Sequence, residues 1–421
     1  MTAITILTPL HAPGNAFIEE TYDSLRDQTE IDWSWLLLEN SGGVVPDRVR
    51  SDPRVRVRVA PAGSHGIGWL KRALSDASET RFALELDADD LLDPHAVAHV
   101  LGVFEKGADF VYSDFAEFKE GLATWDGYPY GSLYGWEHYQ VKFRGRDLLA
   151  MRAPEVTSHN VRLVDWSPNH VRAWRKTAYD RAGGHSRQLE VADDHDLIVR
   201  MVLDGARFGH VPECLYFYRV HEKNTVASKN AAIRQGTEAV YNRQIWPLAE
   251  RFTQECGLSK VDLCGGIDTP AGYLALDRHV PKDVPGLSCD LDKEWPLPDS
   301  SVGVLRAHDA VEHLRDPIHT MNEAWRVLAH GGFFMIHVPS TNGLGAFCDP
   351  THRSFWNRLS FRYYTDARFA RYVPDFKGRF QVSRVIEWFP SDWHRQENVP
   401  YVEAHLFALK DGPRIMGELL W

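Results

Sequence analysis

At 421 residues the chain is too long for one ordinary domain, and two or three are expected. Its 44% hydrophobic and 25% charged residues are ordinary globular values, and a net charge of −11 argues against binding nucleic acid or an anionic membrane surface. Five cysteines without a Cys-x-x-Cys pair point to a reduced, cytoplasmic protein, and neither a bilayer-spanning apolar run nor a secretion-signal pattern is present.

Ile4 to Thr8 is a β-branched run ending at Pro9 and reads as the first strand. Asn15 to Gln28 reads as a helix with Phe17, Ile18, Tyr22 and Leu25 on one face. Trp33 to Leu38 is a second buried strand, ending in Glu39 and Asn40, and Val55 to Val59 alternates as a half-exposed third. Gly66-Ile-Gly68 opens a helix that runs to Ala77. This alternation predicts an α/β fold with a mostly parallel sheet covered on both faces.

Phe82 to Leu86 is a further short apolar run, and it breaks into Asp87, Asp89 and Asp90. Carboxylates this close repel one another unless a positive charge sits among them. At the C-terminal end of a strand, where open α/β sheets place their ligands, a divalent cation gripping a substrate diphosphate is one answer. An acidic turn before a helix opened by Asp93-Pro94 is the other.

Later stretches follow in a telling order: Phe110-Val-Tyr-Ser-Asp114, Gly183-Gly184, Val191-Ala-Asp-Asp-His-Asp-Leu197 and Tyr216-Phe-Tyr-Arg-Val-His221. With Ile4–Pro9, Glu39-Asn40 and Leu86-Asp-Ala-Asp-Asp90, they resemble a family 2 glycosyltransferase with the GT-A fold, over about residues 1–230. The resemblance implies a nucleotide-sugar donor (UDP-, GDP- or dTDP-linked) bound near Pro9, Glu39, Lys71 and Asp87. It implies Mn²⁺ or Mg²⁺ held by Asp87, Asp89 and His221, and Asp194 as the general base. Neighbouring Asp193 and Asp196 would raise the pKa of that base. Glu39 departs from the aspartate usual there, which leaves the nucleotide open. Lys71 and Arg72 are either diphosphate contacts or surface charges. Trp125 to Leu149, rich in Gly, Tyr and Trp, reads as an acceptor-binding loop.

Asn230 to Glu255 reads as a long helix that Pro247 would kink, with Gly257 as its C-cap. Domains are therefore expected at 1–229 and 258–421, joined by a helical linker at 230–257. Lys260 to Leu263 and Tyr273 to Leu276 read as strands, with Cys264-Gly265-Gly266 after the first and Asp277 after the second. A glycine turn admits a ligand to the backbone, and an acid ending the second strand accepts ribose hydroxyls.

The continuation is Leu297-Pro-Asp-Ser-Ser-Val302, His308-Asp-Ala-Val-Glu-His-Leu314, Asn322-Glu-Ala-Trp-Arg-Val-Leu328 and Gly331-Gly-Phe-Phe-Met-Ile-His-Val-Pro339. Together these resemble a class I methyltransferase dependent on S-adenosylmethionine, with Rossmann-like topology, over roughly 258–410. Asp349-Pro-Thr-His-Arg353 and Ser360-Phe-Arg-Tyr-Tyr364 resemble its substrate-covering segment, and strands near Phe380–Val385 and Tyr401–Leu409 complete the expected sheet. The resemblance implies cofactor contacts at Gly265, Gly266, Asp277, Asp290 and His308, and candidate bases at His313, His352 and Asp349. Glu312-His313 also reads as a helix N-terminal pair packed on the glycine turn.

The expected whole is a bifunctional enzyme. It transfers a sugar with inversion to an acceptor hydroxyl of a glycan, lipid-linked saccharide or protein, and O-methylates the same sugar or glycan. The alternative keeps the glycosyltransferase and makes the second domain an inactive binding or assembly module.

Overall fold

A computed structural model describes residues 2–63, 65–124, 137–162, 168–222 and 224–410. The chain forms two compact units, Met1–Gln244 and Ile245–Trp421. Among the described residues no helix is long and apolar enough to cross a membrane.

The first unit is built on strands β1 (Ile4–Leu10), β2 (Trp33–Glu39), β3 (Val55–Val59), β4 (Phe82–Glu85), β5 (Leu91–Leu92), β6 (Phe110–Lys119), β7 (Ala123–Thr124), β8 (His138–Phe143), β9 (Arg146–Met151), β10 (His170–Arg175) and β11 (Phe208–Arg219). The order is β3-β2-β1-β4-β10-β6-β11-β5. β1 to β4 are parallel neighbours, but β10 runs antiparallel to both β4 and β6, so the sheet is mixed. Helices Ile18–Arg26, Ile67–Ala77 and Ala96–Glu105 bury their apolar sides, with Leu25, Leu74 and Phe104 at most 2% exposed. Trp33, Trp35 and Trp174 fill the core.

Residues 125–136 of the expected acceptor loop lie outside the described residues. The rest of that stretch enters the hairpin β8–β9 rather than a loop. Its two-residue turn, Arg144-Gly145, has φ of 45° and 77°, the left-handed pair that matches hairpin twist.

Helix Thr225–Glu255 is continuous through Pro247, and its dihedral break lies at Lys229 (φ −125°, ψ 20°) rather than at the proline. It ends as expected, with Gly257 at φ +65° and Leu258 N donating to Thr253 O.

The second unit carries β12 (Ser259–Leu263), β13 (Leu274–Asp277), β14 (Gly286–Ser288), β15 (Val302–His308), β16 (Leu328–Pro339), β17 (Phe380–Trp388) and β18 (Tyr401–Ala408), in the order β14-β13-β12-β15-β16-β18-β17. The five strands from β14 to β16 are parallel, and β18 inserts antiparallel between β16 and β17. Near-continuous apolar runs such as Phe333 to Ile336, at most 2% exposed, follow from burial on both faces. The expected α/β class holds in both units.

Candidate functional site

In the first unit, Pro9, Glu39 and Asp87 come together at the C-terminal ends of adjacent parallel strands: Leu10 pairs with Glu39, and Leu86 N donates to Leu7 O. Such a crevice is where open sheets take ligands. Glu39 is already engaged, because its Oε1 accepts from Val45 N at 2.8 Å and Arg50 at 2.6 Å.

The aspartates of the β4 turn have different fates. Asp90 is fully buried and accepts from Tyr216 Oη and Arg219 N, both at 2.7 Å, which straps the turn to β11. Arg219 reinforces the strap by donating to Asp89 O at 2.7 Å and Glu20 at 2.6 Å. Two residues later, His221 Nε2 lies 2.8 Å from Asp89 Oδ2, its ring stacked on Phe17 at 5.1 Å. The structure therefore joins Asp89 and His221 across 132 residues. Asp87 does not enter a three-residue ligand set with them: among the described residues the group within 4.8 Å of one another is elsewhere. Asp87 lies in the field of Lys71, Asp89 and Arg172. Burial pushes it up to about 6, with Lys71 opposing and Asp89 adding.

Helix Asp193–Leu203 presents the expected acidic start. Asp194 is paired with Arg172 of β10 and accepts from His195 N at 2.8 Å. Asp193 faces Lys71 at 3.4 Å and His185 at 3.6 Å, and Asp196 is held by Arg200 at 2.7 Å and Arg243 at 2.6 Å. Each neighbour is thus paired with its own cation, so the expected upward shift of Asp194 does not occur. Burial raises the carboxyl, but the Arg172 guanidinium and Lys71 outweigh it and hold Asp194 well below the ordinary range.

Lys71 is neither a surface charge nor an exposed diphosphate contact. It is 6% exposed and lies 3.4 Å from both Glu85 and Asp193. Burial alone would lower its pKa, and Asp193 and Glu85 reverse this, keeping it charged. Glu85 also accepts from Arg172 Nε at 2.9 Å and faces His185 at 3.1 Å. Arg172 sits opposite Glu85 across β10 and β4, two residues before Asp87, which sets Asp194 beside the acidic turn. Arg72 pairs with Asp76 at 2.7 Å and donates to Gly183 O. Gly184 (φ +63°) must stay bare, since a Cβ would lie 2.5 Å from Tyr179 and 2.7 Å from Arg72. The sequence reading missed Glu85, Arg172 and His185; the available signal was a charged residue inside each apolar run, Phe82–Glu85 and His170–Trp174.

In the second unit the glycine turn and Asp277 converge. Gly266 is left-handed at φ +49°, and a Cβ there would sit 3.7 Å from Asp277 Oδ2, while Oδ1 accepts from His279 N at 2.9 Å. Asp290 pairs with Arg278 at 3.0 Å. His308 ends β15 with Nδ1 accepting from Arg306 at 2.9 Å. Burial and the Arg306 charge lower its pKa to about 3, so the ring is neutral.

Glu312 and His313 lie on a short 3₁₀ turn, Val311–His313, rather than at an α-helix start. They line a cavity of about 410 Å³ with His352, Asp309, Asp349 and Tyr401. Ligand atoms of Glu312, His313 and His352 lie within 4.8 Å of one another. Burial pushes Glu312 up to about 8, with Asp309 and Asp349 adding to it.

Comparison with known proteins gives matches in each unit. The sequence profile of Glycosyl transferase family 2 matches residues 5–160, and that of a Methyltransferase domain matches residues 253–336. The O-antigen biosynthesis protein RfbC of Myxococcus xanthus is 26% identical over 56% of this chain and 17% of its own length. A probable S-adenosylmethionine-dependent methyltransferase of Mycolicibacterium smegmatis is 43% identical over 47 residues, 11% of this chain and 18% of that protein. The chain thus spans about a fifth of the curated relatives it matches. Among solved structures, S. aureus TarS 1-349 in complex with UDP-GlcNAc superposes with a TM-score of 0.45 at 15% identity, covering 61% of this chain and 73% of that one.

Proposed function

We propose, for a chain that joins a glycosyl transferase family 2 segment to a methyltransferase-domain segment, that the first unit transfers a sugar from a nucleotide donor and the second methylates a hydroxyl of the same sugar or glycan. The observation that carries the first half is the Asp89–His221 contact of 2.8 Å at the mouth of the parallel strands. Asp89 and His221 would hold Mn²⁺ or Mg²⁺, a carboxylate and an imidazole suiting either, with Asp87 near Asp89 in the same acidic turn. When bound, the cation neutralises charge growing on the leaving diphosphate. Asp194 accepts the proton of the acceptor hydroxyl as its oxygen attacks the anomeric carbon from the face opposite the departing nucleoside diphosphate, giving inversion. Arg172 keeps Asp194 ionised and aimed, while Lys71 and Glu85 form the buried floor that holds Arg172. Pro9 and Glu39 line the nucleotide side of the crevice.

The residues of the second unit fit S-adenosylmethionine. Asp277 beside Gly266 suits ribose hydroxyls, and the bare Gly266 backbone suits the approach of the methionine part; Gly265, Asp290 and His308 are assigned to the cofactor by the resemblance alone. When bound, the cofactor supplies an electrophilic methyl group. His313 and His352 line the neighbouring cavity, where an acceptor hydroxyl must lose its proton. The acceptor is a glycan, a lipid-linked saccharide or a glycosylated protein.

The experiment is a thermal-shift screen of UDP-, GDP- and dTDP-sugars with Mn²⁺, with calorimetry of S-adenosylmethionine on the same protein. Stabilisation by one donor class together with cofactor binding supports both halves. Donor stabilisation without cofactor binding would leave the second unit an inactive module.

A further inference from the structure

Glu312 is 2% exposed, and among the described residues its carboxyl oxygens have no side-chain partner, only the nearby backbone N–H groups of Ala310 and of Glu312 itself, which fall short of good hydrogen-bond geometry. A buried carboxyl group without a side-chain partner is costly, and native structures rarely keep one without a reason. Facing it are His313 and His352, with ligand atoms of all three within 4.8 Å. The backbone builds this convergence: Arg353 N and Ser354 N donate to Glu312 O at 2.6 and 3.0 Å, and Ser354 Oγ donates to Val311 O at 2.8 Å.

The hydrogen bonds behind the two rings define their tautomers. His352 Nδ1 lies 2.9 Å from Ala346 O, which only accepts, so Nδ1 carries the hydrogen. Thr351 Oγ1 gives its one proton to Asp349 Oδ1 at 2.6 Å and lies 3.1 Å from His313 Nδ1, so it accepts from that nitrogen. Both rings therefore keep an Nε2 lone pair for a ligand, with His352 Nε2 4.0 Å from Asp349 Oδ2. A donated Nδ1–H with a free Nε2 is the arrangement of metal-ligating histidines.

We propose that Glu312, His313 and His352 form a divalent transition-metal site in the second unit, separate from Asp89 and His221. One carboxylate and two imidazoles suit Zn²⁺, Fe²⁺, Co²⁺ or Mn²⁺ and leave coordination positions open. Those positions face a cavity of about 410 Å³ walled by Trp393 and Tyr401. Aromatic walls beside a Lewis-acidic cation suit the hydroxyl oxygens of a saccharide, which makes the cation the anchor for the methyl acceptor. That acceptor role rests on the methyl-transfer reading, whereas the metal site does not. The two histidines then act as ligands instead of bases.

The test uses Co²⁺ and the full chain carrying Asp89→Ala, which silences the first unit's pair. Visible d–d absorption should titrate to one equivalent. Glu312→Gln and His352→Gln should each weaken binding at least tenfold, and Cys348→Ala, a cavity-lining non-ligand, should not. Absence of Co²⁺ binding, or equal binding by Glu312→Gln and His352→Gln, would overturn the proposal. Calorimetry with S-adenosylmethionine on the same samples separates the two readings: Co²⁺ bound without cofactor binding keeps the metal site and removes methyl transfer.

Discussion

Replacing Asp194 by asparagine keeps the side chain's shape and removes its basicity. Arg172 remains ion-paired with Glu85 at 2.9 Å, and an asparagine oxygen can still accept from Arg172 and from His195 N. The stability cost is therefore that of weakening one charge-assisted bond, roughly 1.5–3 kcal/mol. The rate of sugar transfer should fall by roughly 10²–10⁴, the usual worth of a general base, with donor affinity retained. The pH dependence has a definite sign. Asp194's pKa in the folded chain lies below its unfolded value of about 4. Its pairing thus contributes stability fully above that pH and loses it as pH falls toward the folded value. Acid destabilisation of the first unit should accordingly be smaller in Asp194→Asn, and the wild-type rate should show no ionisation limb from this group at neutral pH. The assay is nucleoside diphosphate release with thermal melts from pH 3 to 8. A near-wild-type rate in Asp194→Asn, with Asp193→Asn inactive, would refute the assignment.

Asp89→Ala should abolish metal-dependent transfer while the melt stays within a few degrees of wild type; full activity in excess EDTA would exclude a metal role. Tyr216→Phe removes the 2.7 Å bond to buried Asp90 and should cost about 1–3 kcal/mol, read from denaturant unfolding of the first unit. An unchanged midpoint would show that the strap to β11 is not stabilising. Asp277→Ala should weaken S-adenosylmethionine binding by roughly tenfold or more in calorimetry and leave sugar transfer largely intact. Equal loss of both activities would mean that the units do not act independently.

Strand ends were legible because apolar runs stop at acids: Leu38 gives way to Glu39, Leu86 to Asp87 and Leu276 to Asp277. The Asp89–His221 partnership, 132 residues apart, was legible only through the ordered resemblance, since nothing local links the two. The ionisation of Asp194 was misjudged because sequence neighbours were counted as spatial ones. Successive helical residues point about 100° apart. Asp193, Asp194 and Asp196 accordingly reach Lys71, Arg172 and Arg200. Lys71 looked like a surface or ligand charge because its partners, Glu85 and Asp193, come from two distant elements. The β8–β9 hairpin was hidden by aromatic and glycine-rich composition, although Arg144-Gly145 marks its turn. Pro247 carried the expected kink in sequence, yet the helix breaks at Lys229.

The most direct measurement is nucleoside diphosphate release from a panel of UDP-, GDP- and dTDP-sugars by the wild-type chain with Mn²⁺, run beside EDTA, Asp194→Asn and Asp277→Ala. Release from one donor class, abolished by EDTA, strongly reduced in Asp194→Asn and retained in Asp277→Ala, is the predicted result. No release from any donor, or equal release by Asp194→Asn, would contradict the assignment of sugar transfer to Asp89, His221 and Asp194.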